Sequence, residues 1–143
     1  MISLTNVTQY YLEKVNSARA GTSITRVVKD GENFTPKSSD YPFIRVTTMP
    51  RESIQEEVGL EGRIAFPGLM RIDLFYSRAL NSADEQQLIA DRLMNSLLQE
   101  RQVVRNGNHI VTEGVWTEQL RQQDGNTDLP LFIRWTNFAS IKQ

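Results

Sequence analysis

The sequence predicts an α+β domain in which a mostly antiparallel sheet carries two main helices packed on one face. Two segments have the three- and four-residue apolar spacing of amphipathic helices, and several others alternate with a period of two. The strand-like segments are joined by links too short to hold crossover helices, which favours antiparallel pairing. At 143 residues, the chain is expected to form a single domain, 1–143.

An amphipathic helix is predicted close to the N-terminus. Its apolar stripe consists of Leu4, Val7, Tyr11, Val15 and Ala18. The Ala20-Gly21 pair is expected to end this helix. Arg19 would then lie in the last turn, where a cation suits the helix dipole.

Two strands are predicted in the next part of the chain. A short apolar group near 24–28 indicates the first, and Tyr41–Thr48, rich in β-branched residues, indicates the second. The segment between them, through Pro36, is predicted to be an irregular loop. Pro42 is placed at the start of the second strand because proline has no N–H to give to a sheet.

Four acidic residues and no basic residue fall within 52–61. They are Glu52, Glu56, Glu57 and Glu61. The simpler interpretation is a solvated hairpin loop. The functional interpretation is an acidic surface that faces a polyanion without binding it.

The next strand is predicted over Arg63–Phe66 and Leu69–Tyr76, with a bulge or kink at Pro67-Gly68. One of its faces is wholly apolar from Met70 to Tyr76. The other face also carries Leu69 and Phe75, between charged residues. This second face is therefore expected to be covered too, either by the rest of the domain or by a neighbouring copy of the chain.

The second helix follows a capping box. Ser82 is expected to accept a hydrogen bond from the helix N-terminus, and Glu85 to reach back to the cap. Apolar residues recur every four positions at Ile89, Leu93 and Leu97, and Met94 and Leu98 broaden this stripe.

The last third of the chain is predicted to be sheet. Asn106-Gly107 indicates a two-residue hairpin turn that leads into a strand over Ile110–Trp116. Residues 121–128 are predicted to be a polar loop, and Leu129–Phe138 to be the final strand. One face of that strand carries Leu131, Ile133 and Trp135, and the other carries Phe132, Arg134, Thr136 and Phe138.

The two tryptophans suggest different environments. Trp135 is expected in the core because it aligns with Leu131 and Ile133. Trp116, and the opposite face with Phe132 and Phe138, are candidates for contacts between subunits, since tryptophan is enriched at interfaces. Together with two residues of the central strand, the candidate interface residues are Leu69, Phe75, Trp116, Phe132 and Phe138.

The composition offers few residues suited to catalysis or to metal binding. The chain has no cysteine, which excludes disulfides and thiolate sites, and its formal charge of −1 argues against a dedicated nucleic-acid binder. His109 is read as an ordinary surface histidine, because no motif supplies partners for a triad or a metal site. No secretory signal or membrane-spanning run is recognised. An enzymatic role, a cofactor and a metal are therefore not expected.

The pattern resembles the tail terminator family of long-tailed bacteriophages, including its lambda-like members and related uncharacterised phage tail proteins. The resemblance covers nearly the whole chain. It rests on the N-terminal helix, the Tyr41–Val46 strand opening, the Leu69–Tyr76 strand with the Ser82–Leu98 helix, and the Leu129–Phe138 strand.

The resemblance implies a structural virion protein at the head–tail junction, made in the host cytoplasm. Such subunits assemble into a ring, typically a hexamer, on the last ring of tail tube protein, stop tube polymerisation and present a surface to a head-completion or neck protein. DNA passes through the ring without sequence-specific binding. In that setting, the acidic residues of 52–61 would project into the channel or toward a docking partner. The family has no catalytic residues to carry over.

The same sequence pattern also fits other classes of protein. The chain is alternatively another head–tail neck or tail-completion subunit, or a small non-viral protein-binding module that captures a partner with an edge strand. An enzyme with an unrecognised carboxylate site is a third class.

Overall fold

A computed structural model describes residues 4–50, 54–55, 63–77, 83–123 and 125–140. The helices are α1 (Leu4–Ala18), α2 (Ala83–Gln99) and a short 3-10 turn, η1 (Ser38–Asp40). The strands are β1 (Val27–Val28), β2 (Phe43–Pro50), β3 (Ile54–Gln55), β4 (Arg63–Ser77), β5 (Gln102–Arg105), β6 (Asn108–Thr117), β7 (Arg121–Gln123) and β8 (Asn126–Ser140).

These strands form one sheet with the order β1-β2-β4-β8-β6-β5, to which β3 adds by pairing with β4 and β7 by pairing with β8. The β1–β2 pair is parallel and the other pairs are antiparallel. The predicted fold class, α+β with a mostly antiparallel sheet, is therefore confirmed. The strand latest in sequence, β8, lies in the middle of the sheet.

Both helices pack on one face of the sheet, which we call the covered face. Alternate residues of β4 and β8 point into the covered face and are buried against the inner sides of α1 and α2. The central members are Met70, Ile72, Leu74, Tyr76, Leu131, Ile133, Trp135, Val7, Tyr11, Ile89, Leu93 and Leu97. The helices supply five of these twelve residues, all of them in the predicted apolar stripes. Leu4, predicted to begin the α1 stripe, is exposed. Leu98, predicted to broaden the α2 stripe, is exposed instead.

Pro67 and Gly68 do not make the predicted bulge. The pairing of β4 with β8 runs without a register shift from Arg63 to Ser77. Gly68 lies opposite Trp135, and a Cβ at Gly68 would come within 2.3 Å of the Trp135 ring. The glycine is therefore required by the close approach of a buried tryptophan rather than by a bend in the strand. Trp135 is 1% exposed, which confirms its place in the core.

The predicted hairpin between β5 and β6 is confirmed. Asn106 and Gly107 have φ values of 49° and 79°, the left-handed conformation that both centres of a type I′ turn need.

Elsewhere, the boundaries differ from the predictions. The strand predicted near 24–28 is only Val27–Val28, and η1 interrupts the loop after it. Residues 121–128, predicted to be a loop, contain β7, which folds back on the start of β8. The polar composition of this segment hid the strand, because a short outer strand needs no apolar face of its own.

The C-terminal end of α1 is contacted by a side chain of α2. α1 ends at Ala18, so Arg19 lies beyond the last turn, contrary to the prediction. The cation that meets the end of α1 is Arg92 of α2, whose Nη1 donates to the carbonyls of Ala18 and Ala20 at 3.3 and 3.1 Å. Ser82 lies outside the described residues, so the capping box stays a prediction.

Candidate interaction surface

The sheet has a second face, opposite α1 and α2, which we call the uncovered face. All five candidate interface residues lie on it: Leu69, Phe75, Trp116, Phe132 and Phe138. Each of the five is partly exposed. The register explains why they meet, because Phe132 opposes both Arg71 on β4 and Trp116 on β6. Sequence alternation put these residues on one side of their strands, and strand pairing brings them together.

Aromatic pairs organise this face. Trp116 and Phe132 stack with ring centroids 5.6 Å apart and an interplanar angle of 13°. Phe43 and Phe75 stack at 4.8 Å and 20°. Offset stacks of this kind add a modest attraction to the area that they bury.

One end of the uncovered face is covered by the domain itself. Phe34 and Tyr41 meet the ring of Phe43 edge-on at 5.2 and 5.1 Å, and Phe43 is 1% exposed. The loop before β2 thus shields the Phe43 end. The expectation that the rest of the domain covers the second face is therefore confirmed at the Phe43 end. Trp116 and Phe132 are partly exposed, and their coverage by a neighbouring copy stays a prediction.

A group of four charged side chains lies in the centre of this face, which we call the charge cluster: Arg71, Asp73, Arg121 and Asp128. Arg71 Nε donates to both carboxylate oxygens of Asp73 at 3.0 and 2.9 Å. Arg121 Nη2 donates to Asp128 Oδ2 at 2.5 Å. Each arginine also approaches the other acid, at 3.7 Å for Arg71 to Asp128 and 3.8 Å for Arg121 to Asp73.

The acids of the charge cluster are buried although no helix covers them. Asp73 is 4% exposed and Asp128 is 8% exposed. Burial, followed by the hydrogen bond and charge of Asp128, raises the pKa of Asp73 to about 6, and Arg71 opposes the shift. Burial therefore outweighs the neighbouring arginine at this carboxyl.

An open groove of about 710 Å³ adjoins the charge cluster. Tyr41 and Phe75 supply aromatic walls, and Arg121, Thr127 and Asp128 supply polar ones. The groove lies where the β7–β8 hairpin meets the start of β2.

The remaining predicted residues do not join this surface as a reactive site. His109 Nε2 lies 2.9 Å from Gln102 Oε1, and its ring is beside Phe138. Glu52, Glu56, Glu57 and Glu61 lie outside the described residues, so the channel or docking loop stays a prediction. Within the described ranges, no group of three or more His, Cys, Asp or Glu side chains is placed to hold a metal ion. No helix in the part of the chain that is described is long and apolar enough to cross a membrane.

Sequence reasoning missed the charge cluster. Arg71 and Asp73 were visible as same-face neighbours in a strand, which was a usable signal. Their meeting with Asp128 and Arg121 depends on β8 lying beside β4 and on β7 folding back, and neither feature has a local sequence signal.

Comparison with known proteins identifies the fold and no family. No family model matches the chain, and no curated protein matches its sequence. A solved structure of a protein whose name describes no function matches with a TM-score of 0.69, over 94% of this chain and 96% of that one. The two sequences are 16% identical, so the likeness shows a shared fold across nearly the whole length of both chains.

Proposed function

We propose that this protein is a ring-forming tail terminator of a long-tailed bacteriophage, a structural virion protein without catalytic activity. In this role, copies of the chain form a ring, typically a hexamer, at the head–tail junction. The ring caps the tail tube, stops its polymerisation and offers a docking surface to a head-completion or neck protein. DNA passes through the ring without sequence-specific contacts.

The observation that carries the proposal is the uncovered face. It combines partly exposed Leu69, Trp116 and Phe132 on adjacent strands of a sheet whose other face is fully packed. Contiguous apolar surface that a domain leaves accessible is typical of a protein–protein contact. The resemblance of the sequence to tail terminators supplies the identity of the partners.

In this proposal, the ring acts by occupying the growing end of the tail tube. A ring closes when each subunit uses one patch to contact a different patch on its neighbour, and the rotation returns to the first subunit. Such a ring occupies the growing end of the tube and lacks the site that the next tube ring needs. No residue has to perform chemistry in this process.

The test is the mass of the purified protein by light scattering, alone and with tail tube protein of the same phage. We expect a ring, either free or formed on tube ends, and tubes that stop growing. Leu69→Asp should abolish ring formation and tube capping, because it places a charge in the uncovered face. Leu88→Asp is the matched control, since Leu88 is an exposed leucine on the outer side of α2.

Circular dichroism of both variants checks that they remain folded. A folded wild-type monomer that neither binds tubes nor changes their length would refute the proposal. Equal loss of assembly in the Leu69 and Leu88 variants would remove the uncovered face from the explanation.

A second candidate function is a small binding module that captures a partner strand. β5 ends the sheet order, and Val104 on it is 70% exposed. An edge strand of this kind can accept an added strand from a partner. A permanent monomer that binds extended peptides along β5 would favour this function over the ring.

A further inference from the structure

Two carboxyl groups meet in the centre of the uncovered face. Asp73 on β4 opposes Pro130, and Asp128 on β8 opposes Phe75, so the two acids are diagonal neighbours on one face. Their carboxyl groups flank the same guanidinium, because Arg121 Nη2 lies 2.5 Å from Asp128 Oδ2 and 3.8 Å from Asp73 Oδ1. Both acids are more than nine-tenths buried.

The hydrogen bonds of the two acids are incomplete. Asp128 Oδ2 accepts from Arg121, but Asp128 Oδ1 is buried and has no donor among the described residues. A buried acceptor without a donor is costly. A proton on Asp73 would provide that donor, because a protonated carboxyl donates one hydrogen bond and still accepts from Arg71.

The surroundings contain no other donor for this oxygen among the described residues. Arg71 on β4 is committed to Asp73, and Arg121 on β7 to Asp128 Oδ2. Arg45 on β2 opposes Asp73, but its Nη2 donates to the carbonyl of Phe34 at 3.3 Å. Tyr41 lines the adjoining groove. Glu118, after β6, donates its backbone N–H to Pro130 and has an exposed side chain.

We propose that Asp73 and Asp128 share one proton in the folded protein, so that the charge at the centre of the uncovered face changes by one unit when that proton is bound or released. With the proton bound, Arg71 and Arg121 face a single negative charge. Without it, two carboxylates balance the two arginines. This inference holds whether or not the chain forms a ring.

The experiment is a pH titration of the protein labelled with ¹³C at aspartate carboxyl carbons, followed by NMR. The Asp73 signal should have its midpoint near pH 6, well above the ordinary value of an aspartate carboxyl. The Asp73 and Asp128 signals should both move over that same pH interval, because coupled groups titrate as a pair.

A variant sharpens the test. In Asp128→Asn, the midpoint of Asp73 should fall by about one pH unit, because the neighbouring negative charge is gone while Arg71 remains. In the matched control Asp91→Asn, it should not move. The proposal is overturned if the Asp73 and Asp128 signals of the wild-type protein follow independent curves at the ordinary aspartate range, a result that needs no variant to fold.

Discussion

The two faces of the sheet are made by the same strands and have opposite character. On β4, Met70, Ile72 and Leu74 enter the covered face and are fully buried, whereas Leu69 and Arg71 enter the uncovered face and stay partly exposed. The backbone, the strand length and the position in the sheet are identical for both sets. What differs is the side-chain chemistry and whether helices lie above.

This difference separates two roles within one sheet. The covered face is mainly apolar, with a few buried polar residues such as Thr112 and Asn137, and supplies most of the free energy of folding through burial. The uncovered face mixes aromatic rings with buried charges, an arrangement that stabilises folding less per residue. A face that contributes little to folding, yet keeps large apolar side chains, is suited to contacts with another molecule.

The largest expected effect comes from neighbouring residues on β8. Leu131→Ala should lower the free energy of unfolding by about 4 kcal/mol, because it leaves a cavity in the covered face. Phe132→Ala should cost about 1 kcal/mol in the isolated chain, since Phe132 is already partly exposed. Urea unfolding at neutral pH measures both. Equal losses would mean that the uncovered face is part of the folding core.

Replacing a glycine by alanine on each face of the sheet tests the same difference between the faces, because each substitution adds one methyl group. Gly68→Ala should cost about 3 kcal/mol, because its Cβ would meet the Trp135 ring at 2.3 Å in the covered face. Gly114→Ala, opposite Arg134, should change stability by less than about 0.5 kcal/mol, since the nearest atom lies 3.5 Å away. Thermal unfolding midpoints of the two variants, each compared with wild type, measure this difference. A neutral Gly68→Ala would show that Trp135 can move.

The pH dependence of stability tests the buried charges of the uncovered face. The pKa of Asp73 is raised from 3.8 to about 6 by burial and by Asp128, so folding takes up a proton between these values. The contribution of Asp73 to stability is therefore full below about pH 4 and is lost as the pH rises through about 6. A shift of about two pH units corresponds to about 3 kcal/mol, which is the upper bound of the expected loss.

The measurement is the free energy of unfolding from urea titrations at pH 4 to 8. Asp73→Asn should flatten the curve relative to wild type over this range, and Asp91→Asn should leave it unchanged. A wild-type curve that rises between pH 4 and 6, with the same slope in Asp73→Asn, would contradict the assignment.

The smallest effect is expected at the edge of the sheet. Val104→Thr on β5 should change the free energy of unfolding by less than about 0.5 kcal/mol, because the side chain is largely in solvent. It should also leave the mass by light scattering unchanged if subunits associate through the uncovered face. A change in mass would instead assign the contact to the edge strand.

Local patterns in the sequence predicted a large part of this fold. The four-residue spacing at Ile89, Leu93 and Leu97 gave α2, Asn106-Gly107 gave the type I′ hairpin, and period-two alternation assigned the sides of β4 and β8. Each of these signals depends on residues near one another in the chain.

The missed features depend on residues far apart in sequence. The straight path of β4 through Pro67 and Gly68 follows from its contact with Trp135, which no local rule reveals. The burial of Asp73 follows from the approach of Asp128 and Arg121. In the candidate surface, alternation correctly grouped the five apolar residues on one face, and the partner of that face stays a proposal.

The central position of β8 has a consequence for the timing of synthesis. β4 and β6 are made before residues 126–140, yet both are completed only by pairing with that strand. Until residues 126–140 are available, neither face of the sheet exists in its final form. Because non-local pairing of this kind must wait for the later strand, the aromatic surface is assembled only after the chain has been translated through β8.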